Sequence, residues 1–444
     1  MAEVLTAAWL GDCNKDTACV MVRSNVAGTV TVAGQSVSVD PTVTGASGGD
    51  GVARFDVPHG THEIIINGTQ YDTITTKRPP QGQSFEIGWG SCENTKRDTW
   101  MGYLLAEREL AAFFWIGDFI YSLESIGVSR FGRSKQSVYL KTPPTHQDMY
   151  THYQQAHLVP GNRVLHRSCP TYWVGDDHEE INRDNWDNSL TQLNIGGVSL
   201  GSTAADVEFY GAMGERCMEV YFAGNPADGG PHPHMYFRKR IQHVEFFVLQ
   251  ECHYRTPLAV ADADPSKDML GVEQLAWLQA ALLDSTATFK VVLSPKKLFR
   301  NVGDNDDIWY RYEYQRELIL DWIVAQGLTG VVWLAGDKHC PDWSYDETRK
   351  VLCVNASPIT QYNQASGHGV GYTTHNEWKP FGNAGAPPAQ LQSALGGELH
   401  CAGVLRVTPE YIEPLIVDER GNEISTGRIY AGSNERVLRP VAVG

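Results

Sequence analysis

No stretch of this 444-residue chain stays apolar for the ~20 residues needed to cross a bilayer. None of its nine cysteines falls in the CxxC spacing of a structural zinc site. Basic residues are scarce: 36 Lys and Arg stand against 52 Asp and Glu, a formal charge of −16. That balance leaves no diffuse positive field to draw in nucleic acid or anionic lipid, which excludes a nucleic-acid-binding patch. Internal repeats and low-complexity tracts are missing from the Gly-, Asn- and Pro-rich segments 187–240 and 360–400 as well. The opening Met1-Ala2-Glu3-Val4 has neither a basic n-region nor an apolar h-region. The expectation is therefore a secreted or periplasmic protein whose leader was removed, or otherwise a cytoplasmic one. What remains, at 42% hydrophobic and 20% charged residues, is the composition of a folded globular protein with no membrane span.

An odd number of cysteines leaves at least one thiol unpaired. Most read as small buried hydrophobes, with Cys13 and Cys19 a candidate local bridge if the protein is exported. The length predicts more than one compact unit. Residues 1–80 read as β structure: Ala18–Val22, Thr29–Val32 and His62–Ile66 are short β-rich runs between Gly, Ser, Asn and Asp. Asn67-Gly68 is a hairpin turn; the same positions open a glycosylation sequon by pattern, but the turn is the better reading. Pro79-Pro80-Gln81-Gly82-Gln83 then forms a stiff linker, so a domain boundary falls there. From residue 84 to 444, apolar runs alternate with helical periodicity, clearest at Gly271–Asp284, with a second helix over Arg316–Gln326. Segments 187–240 and 360–400 are rich in Gly, Asn and Pro and predict long loops or lids.

Three predicted strands run straight into polar clusters: Ile116-Gly117-Asp118-Phe119-Ile120-Tyr121, Gly175-Asp176-Asp177-His178-Glu179 and Ala335-Gly336-Asp337-Lys338-His339. One Asp after a strand is ordinarily a cap or turn residue. Three clusters in one chain, two of them pairing Asp with His, point to convergence at the carboxyl ends of strands. Asp118, Asp177 and Asp337 brought together would repel one another unless a multivalent cation sits among them. An oxygen-rich set with some nitrogen suits Fe, Mn, Ca or Mg better than structural zinc. Two metals sharing a bridging carboxylate would lower the pKa of a bound water from ~15.7 toward ~7 and clamp an anionic substrate. That is hydrolytic phosphoester chemistry.

The order of these motifs resembles the alkaline phosphatase D (PhoD-like) group of metallophosphoesterases. The likeness starts at Gly90-Ser91-Cys92 after Phe85-Glu86-Ile87 and continues through Gly117-Asp118 with Tyr121. Tyr150, Tyr153, His157 and Pro170 follow, ahead of Asp176-Asp177-His178-Glu179. Gln274, Trp277-Leu278, Ser285, Phe289–Val292, Asp307, Trp309, Tyr312 and Arg316 lead to Gly336-Asp337 and His339. The resemblance implies an α+β fold: a layered metallophosphatase β-sandwich flanked by helices. A small all-β, fibronectin- or immunoglobulin-like domain precedes it, and a C-terminal β tail ends it. It also implies Fe3+ paired with calcium or another divalent metal. Carried over by motif, Cys92 and Tyr121 ligate iron as thiolate and phenolate, Asp118 bridges to the second metal, and Asp337 and His339 complete the centre. Asp177, with Asp176 or Asn182, serves the second metal, and His178 beside the scissile ester can donate a proton to the leaving alkoxide.

Two departures stand out. The family's Leu-Asp-x-Arg-x-Tyr-Arg is here Leu249-Gln250-Glu251-Cys252-His253-Tyr254-Arg255, and Gly175 stands where Trp is common. Glu251 or His253 are the candidates to compensate as metal or substrate ligands. The expected activity is hydrolysis of phosphate monoesters and diesters by a metal-bound hydroxide, on a small-molecule or polymeric phosphoester. A phospholipase D-like or phosphotriester hydrolase of the same family and a non-catalytic metal-containing binding protein are the alternatives. The joint presence of Asp118, Asp177, His178, Asp337 and His339 argues against the last.

Overall fold

The computed structural model describes residues 6–42, 50–80, 84–93, 100–121, 146–180, 194–195, 198–199, 204–227, 235–299, 308–339, 341–360 and 400–438. Seven strands come first: β1 (Thr6–Cys13), β2 (Thr17–Ser24), β3 (Gly28–Val32), β4 (Gln35–Val39), β5 (Val52–Pro58), β6 (Gly60–Ile66) and β7 (Thr69–Thr76). They form two antiparallel sheets, ordered β1-β2-β5 and β4-β3-β6-β7. Leu10, Val20, Val22, Val30, Phe55, Ile64 and Ile74 alternate inward to make their shared core. The β6–β7 turn holds Asn67 at φ 50° and Gly68 at φ 79°, the double left-handed geometry that Asn-Gly supplies.

Next come β8 (Phe85–Gly90), α1 (Trp100–Glu107), β9 (Ala112–Ile116), α2 (His146–Leu158), α3 (Pro160–Ser168), β10 (Thr171–Val174) and α4 (Asp177–Glu180). A two-residue ladder, β11 (Asn194–Ile195) with β12 (Val198–Ser199), precedes α5 (Ala204–Tyr221), β13 (Phe237–Ile241) and β14 (Val244–Val248). Then follow α6 (Gly271–Asp284), β15 (Phe289–Ser294), α7 (Glu313–Ala325), β16 (Val331–Ala335), β17 (Asp342–Asp346) and β18 (Val351–Asn355). The chain closes with β19 (Cys401–Val407), β20 (Tyr411–Asp418), β21 (Glu423–Ser425), β22 (Arg428–Tyr430) and β23 (Arg436–Val437).

These build two large mixed sheets. One runs β10-β9-β8-β19-β20-β22-β23, with β21 on β20; the other runs β13-β14-β15-β16-β18-β17. Phe114, Tyr172, Trp89 and Ile416 from the first meet Phe246, Val291, Leu293 and Leu334 from the second in one apolar layer. Helices α6 and α7 cover the outer face of the second sheet through Leu278, Leu282, Ile319 and Ile323. Helices α1, α2, α3 and α5 share the outer core of the first sheet. The result is a helix-flanked α+β sandwich. The strands β9, β10, β14, β15 and β16 are buried at every residue, which is why they read in sequence as uninterrupted apolar runs. No helix among the described residues is long and apolar enough to cross a membrane.

Two sequence expectations need correction. Segment 187–240 contains the 18-residue helix α5. Its buried face is Gly214, Cys217, Met218 and Tyr221, at i, i+3, i+4 and i+7, but a glycine and a cysteine on that face hide the apolar period. Cys13 and Cys19 are free and buried, not bridged; Cys13 Sγ lies 3.4 Å from the Lys77 carbonyl. Segment 361–399 lies outside the described residues.

The β1-β2-β5 sheet also turns Ala7, Trp9, Cys19 and Met21 toward the helices. Trp9 stacks on His157 with ring centroids 4.1 Å apart. His157 and His166 meet at 3.2 Å through their Nδ1 atoms, and Trp115 Nε1–H donates to His166 Nε2 at 2.8 Å. The Trp115 bond makes His166 Nε2 the acceptor, so Nδ1 carries its proton and donates to His157. Burial holds both imidazoles neutral: His166 falls from the ordinary 6.5 to about 3, and His157 lies well below 6.5. The unfolded chain therefore takes up protons that the folded one refuses. The stability this pair contributes is complete above pH 6.5 and is lost as pH falls below it. Urea unfolding between pH 7 and 5 should lose up to about 1.4 kcal/mol per pH unit for each histidine. His157→Phe should flatten that slope, and an unchanged slope would count against the assignment.

Candidate metal centre

Six strands of the two sheets end alike. Two residues beyond β8, β9 and β16 lie Cys92, Asp118 and Asp337, each in the left-handed region with φ of 63°, 55° and 65°. A non-glycine residue held there costs roughly 1–2 kcal/mol, a cost that concentrates at functional sites. The same offset places Asp176 after β10, Gln250 after β14 and Lys296 after β15. Strands β8, β9 and β10 run parallel, as do β14, β15 and β16, so their carboxyl ends gather on one edge of each sheet.

One pocket is formed by Cys92, Asp118 and His339, whose ligand atoms lie within 4.8 Å of one another. Tyr121 Oη is 3.1 Å from both Asp118 Oδ2 and His339 Nε2, and Cys92 Sγ is 3.4 Å from the same Asp118 oxygen. Asp118 Oδ1 is buried and has no hydrogen-bond partner among the described residues. A relay of donors points at the sulfur: Asp337 N–H to Ser91 Oγ at 3.0 Å, Ser91 to Ser357 at 3.0 Å, and Ser357 to Cys92 Sγ at 3.0 Å. Thiol, phenol, carboxylate and imidazole around an orphaned oxygen fit a metal ion of Lewis-acid character.

Beside it lie Asp118, Asp176, Asp177 and Asp337, with ligand atoms again within 4.8 Å of one another. Lys296 Nζ sits among them, 2.9 Å from Asp176 Oδ1, 3.0 Å from Asp177 Oδ1 and 2.9 Å from Asp337 Oδ1. His178 stands at the edge, its Nε2 3.7 Å from Asp177 Oδ2 and its ring 4.0 Å from that of Tyr121. Burial pushes Asp118 well above the usual carboxylate range, reinforced by Asp177 and Glu179. Burial likewise raises Asp176, against the pull of Lys296. Asp337 goes the other way: burial is outweighed by Lys296 and Lys338, which bring it to about 2. Lys338 Nζ lies 3.2 Å from Asp337 Oδ2 and is buried. Burial, then the charges of Asp118 and Asp337, raises Cys92, so a cation must displace its proton to bind the thiolate. Burial also lowers His339 to about 3, leaving it a neutral ligand.

Residues 87–364 match the family model described as PhoD-like phosphatase. The chain belongs to the PhoD-like phosphatase family. Alkaline phosphatase D of Bacillus subtilis (strain 168) is 27% identical over 278 residues, 57% of this chain and 45% of that protein. The match thus spans less than half of that relative's length. A solved structure of PhoD superposes with a TM-score of 0.69 at 17% identity, covering 98% of this chain and 94% of that one. Yellow lupin (Lupinus luteus) purple acid phosphatase PPD1 superposes at 0.53 with 10% identity, over 98% of this chain and 77% of its own. These two likenesses establish the fold.

Of the residues assigned by resemblance to PhoD-like proteins, Cys92, Asp118, Tyr121, Asp176, Asp177, His178, Asp337 and His339 come together in the structure. Asn182 lies outside the described residues. Glu251 is occupied elsewhere: it accepts from Lys296 N at 2.9 Å and Trp309 Nε1 at 2.8 Å, and is bonded to Ser294. His253 faces Glu215 of α5 at 3.8 Å. Neither joins the groups that could hold a metal among the described residues.

Two of the departures from the PhoD-like pattern, Gly175 and Gln250, share a neighbour. A Cβ at Gly175 would collide with Met218 Sδ of α5, so a larger residue there requires the methionine side chain to move. The Gln250 side chain reaches toward the same sulfur, Nε2 to Sδ at 3.8 Å, while Gln274 bonds its backbone N and O at 2.9 and 2.6 Å. Cys252 Sγ donates to Asp176 Oδ1 at 2.8 Å.

Sequence reasoning missed Lys296 and Ser357, and gave no role to Glu179 and Ser91 although both stand inside its motifs. Lys296 had a signal, since it lies two residues beyond β15, the offset at which Asp118, Asp176 and Asp337 follow their strands. Glu179 is fully buried and accepts from the backbone N–H groups of Asp118 (2.9 Å), Phe119 (2.6 Å) and Asp176 (2.8 Å), pinning two ligand loops together. Those bonds lower its pKa, but burial prevails and leaves it at about 7. Glu179→Ala strands these three buried donors and the longer one from Ile120 N (3.4 Å), at about 1–3 kcal/mol each for the short bonds, so a loss of at least about 3 kcal/mol is expected. Denaturant unfolding in chelator, where metal loss cannot contribute, checks this; Glu179→Gln, which keeps one acceptor oxygen, should lose less.

Proposed function

We propose that this protein hydrolyses phosphate monoesters and diesters at the Cys92–Asp118–Tyr121–His339 pocket, with His178 as the proton donor. The observation that carries the reading is the joining of a thiol, a phenol, a carboxylate and an imidazole to a second histidine beside an acidic cluster at the strand ends. Thiolate and phenolate together suit Fe3+. Bound there, such an ion supplies Lewis-acid charge and lowers the pKa of water. Asp118 and His339 offer an oxygen and a nitrogen, the Ser91–Ser357 relay steadies the thiolate, and Asp337 adds charge held ionised by two lysines.

His178 is partly open, its side chain 12% exposed, where most of the ligand side chains are closed to solvent. Its Nε2 lies 3.7 Å from Asp177 Oδ2, at the edge of the site where a leaving alkoxide would need a proton. Residues 1–80 are read as a fibronectin- or immunoglobulin-like domain ahead of a catalytic unit over 84–444; the paired sheets of β1–β7 support that division.

Purified protein loaded with iron should show a visible tyrosinate-to-iron band that Tyr121→Phe abolishes while leaving the other ligands in place. His178→Asn should lower kcat about 10²- to 10⁴-fold on an alkyl phosphoester and much less on a p-nitrophenyl ester, whose leaving group needs no proton. Equal losses on the two esters would remove the acid role. A colourless loaded protein would remove the Cys92 and Tyr121 roles.

A further inference from the structure

We propose that Lys296 takes the place of a second metal ion, so that this protein works with one metal and a built-in ammonium. The inference rests on the metallophosphatase reading above and concerns the neighbouring half of the same centre. Three aspartate oxygens converge on a single point, and that point is Lys296 Nζ, at 2.9, 3.0 and 2.9 Å. An ammonium has three N–H donors, and Asp176, Asp177 and Asp337 offer three acceptors. A divalent ion bound to those oxygens would sit about 2.0–2.6 Å from each and would share the space of the nitrogen. It cannot coexist with the lysine in this position.

The lysine is not a surface side chain caught by chance. Its side chain is closed to solvent, its N–H donates to Glu251 at 2.9 Å, and its carbonyl accepts from Ser294 Oγ at 2.5 Å. It occupies the strand-end offset that supplies Cys92, Asp118, Asp176 and Asp337 elsewhere in the fold. Two other positions on this side carry no anionic ligand: Gln250 is a neutral amide, and Cys252 offers Asp176 an S–H. The carboxylates needed to outcompete an ammonium for a divalent ion are thus fewer, and the fixed charge of Lys296 meets those that remain. A lysine supplies charge and three donors but no exchangeable water, which leaves that task to the Cys92–Tyr121 side.

The test is a metal count. Full-length protein is saturated with iron and then with Ca2+ or Mn2+, desalted, and analysed for metals in parallel with Lys296→Met, which keeps an unbranched side chain but removes the terminal nitrogen and its charge. Wild type should retain one metal per chain, and the variant two, with a rise in melting temperature on adding Ca2+ that wild type lacks. Two tightly held metals in wild type would overturn the proposal, as would a variant that stays at one. No metal in either protein would instead overturn the metallophosphatase reading itself. Should the variant not fold, anomalous diffraction from wild-type crystals grown in Mn2+ decides the matter. One peak beside Cys92, with Lys296 still among the aspartates, supports the proposal; a second peak with the lysine displaced defeats it.

Discussion

Four aspartates, Asp118, Asp176, Asp177 and Asp337, crowd their oxygens within 4.8 Å in an interior closed to water. At such distances the repulsion between uncompensated charges is severe in a poorly polarisable medium. Against a net folding stability of about 5–15 kcal/mol, the arrangement survives only if charge is removed or matched. Both happen. Asp118 and Asp176 are driven toward their protonated forms, while Asp337 stays ionised against two lysines. Everything else near the strand ends serves this compromise. Glu179 ties the loops that carry Asp118 and Asp176, and Glu251 fixes the backbone that carries Lys296.

The layered sandwich makes so tight a cluster feasible. Strands sealed on both faces cannot slide, so a residue two positions past a strand end is delivered to a fixed place. At Cys92, Asp118 and Asp337 the delivery also needs a left-handed backbone, which bonds between loops hold in place: Cys92 N to Gly117 O at 3.4 Å, Glu93 N to Asp118 O at 2.7 Å, and Asp337 N to Ser91 Oγ at 3.0 Å. The strain is local, and its restraint is distributed over two sheets.

Much of this was legible in the sequence, for reasons that differ by element. Fully buried parallel strands leave long apolar words such as Phe113–Ile116 and Val331–Leu334, and the acids written straight after them mark the site. Helix α6 declared itself through Leu275, Leu278 and Leu282. Cys92 and Tyr121 carried no pattern of their own and were found only through the ordered resemblance. Helix α5 was lost because Gly214 and Cys217 occupy its buried face, and a hydropathy period cannot register a residue with no side chain. Lys296 escaped because a metal site was sought among anionic and imidazole ligands, although a cation solves the same electrostatic problem. Glu179 escaped for a different reason: an acceptor of backbone N–H groups has no partner side chain whose spacing could announce it.

The departures from the family pattern fall on one side of the centre. Gly175, Gln250 and Cys252 all border Met218 or Asp176, beside Lys296, whereas Cys92, Asp118, Tyr121 and His339 keep the types the resemblance requires. Physical chemistry makes that division intelligible. A divalent ion that serves mainly to balance carboxylates and attract phosphate can yield to an ammonium, because both tasks need only placed charge. An ion that must acidify water cannot, since no side chain of this protein polarises an oxygen as a trivalent metal does. Variation is therefore tolerable on the Lys296 side and costly on the Cys92 side, and the substitutions in this sequence fall where that asymmetry allows them.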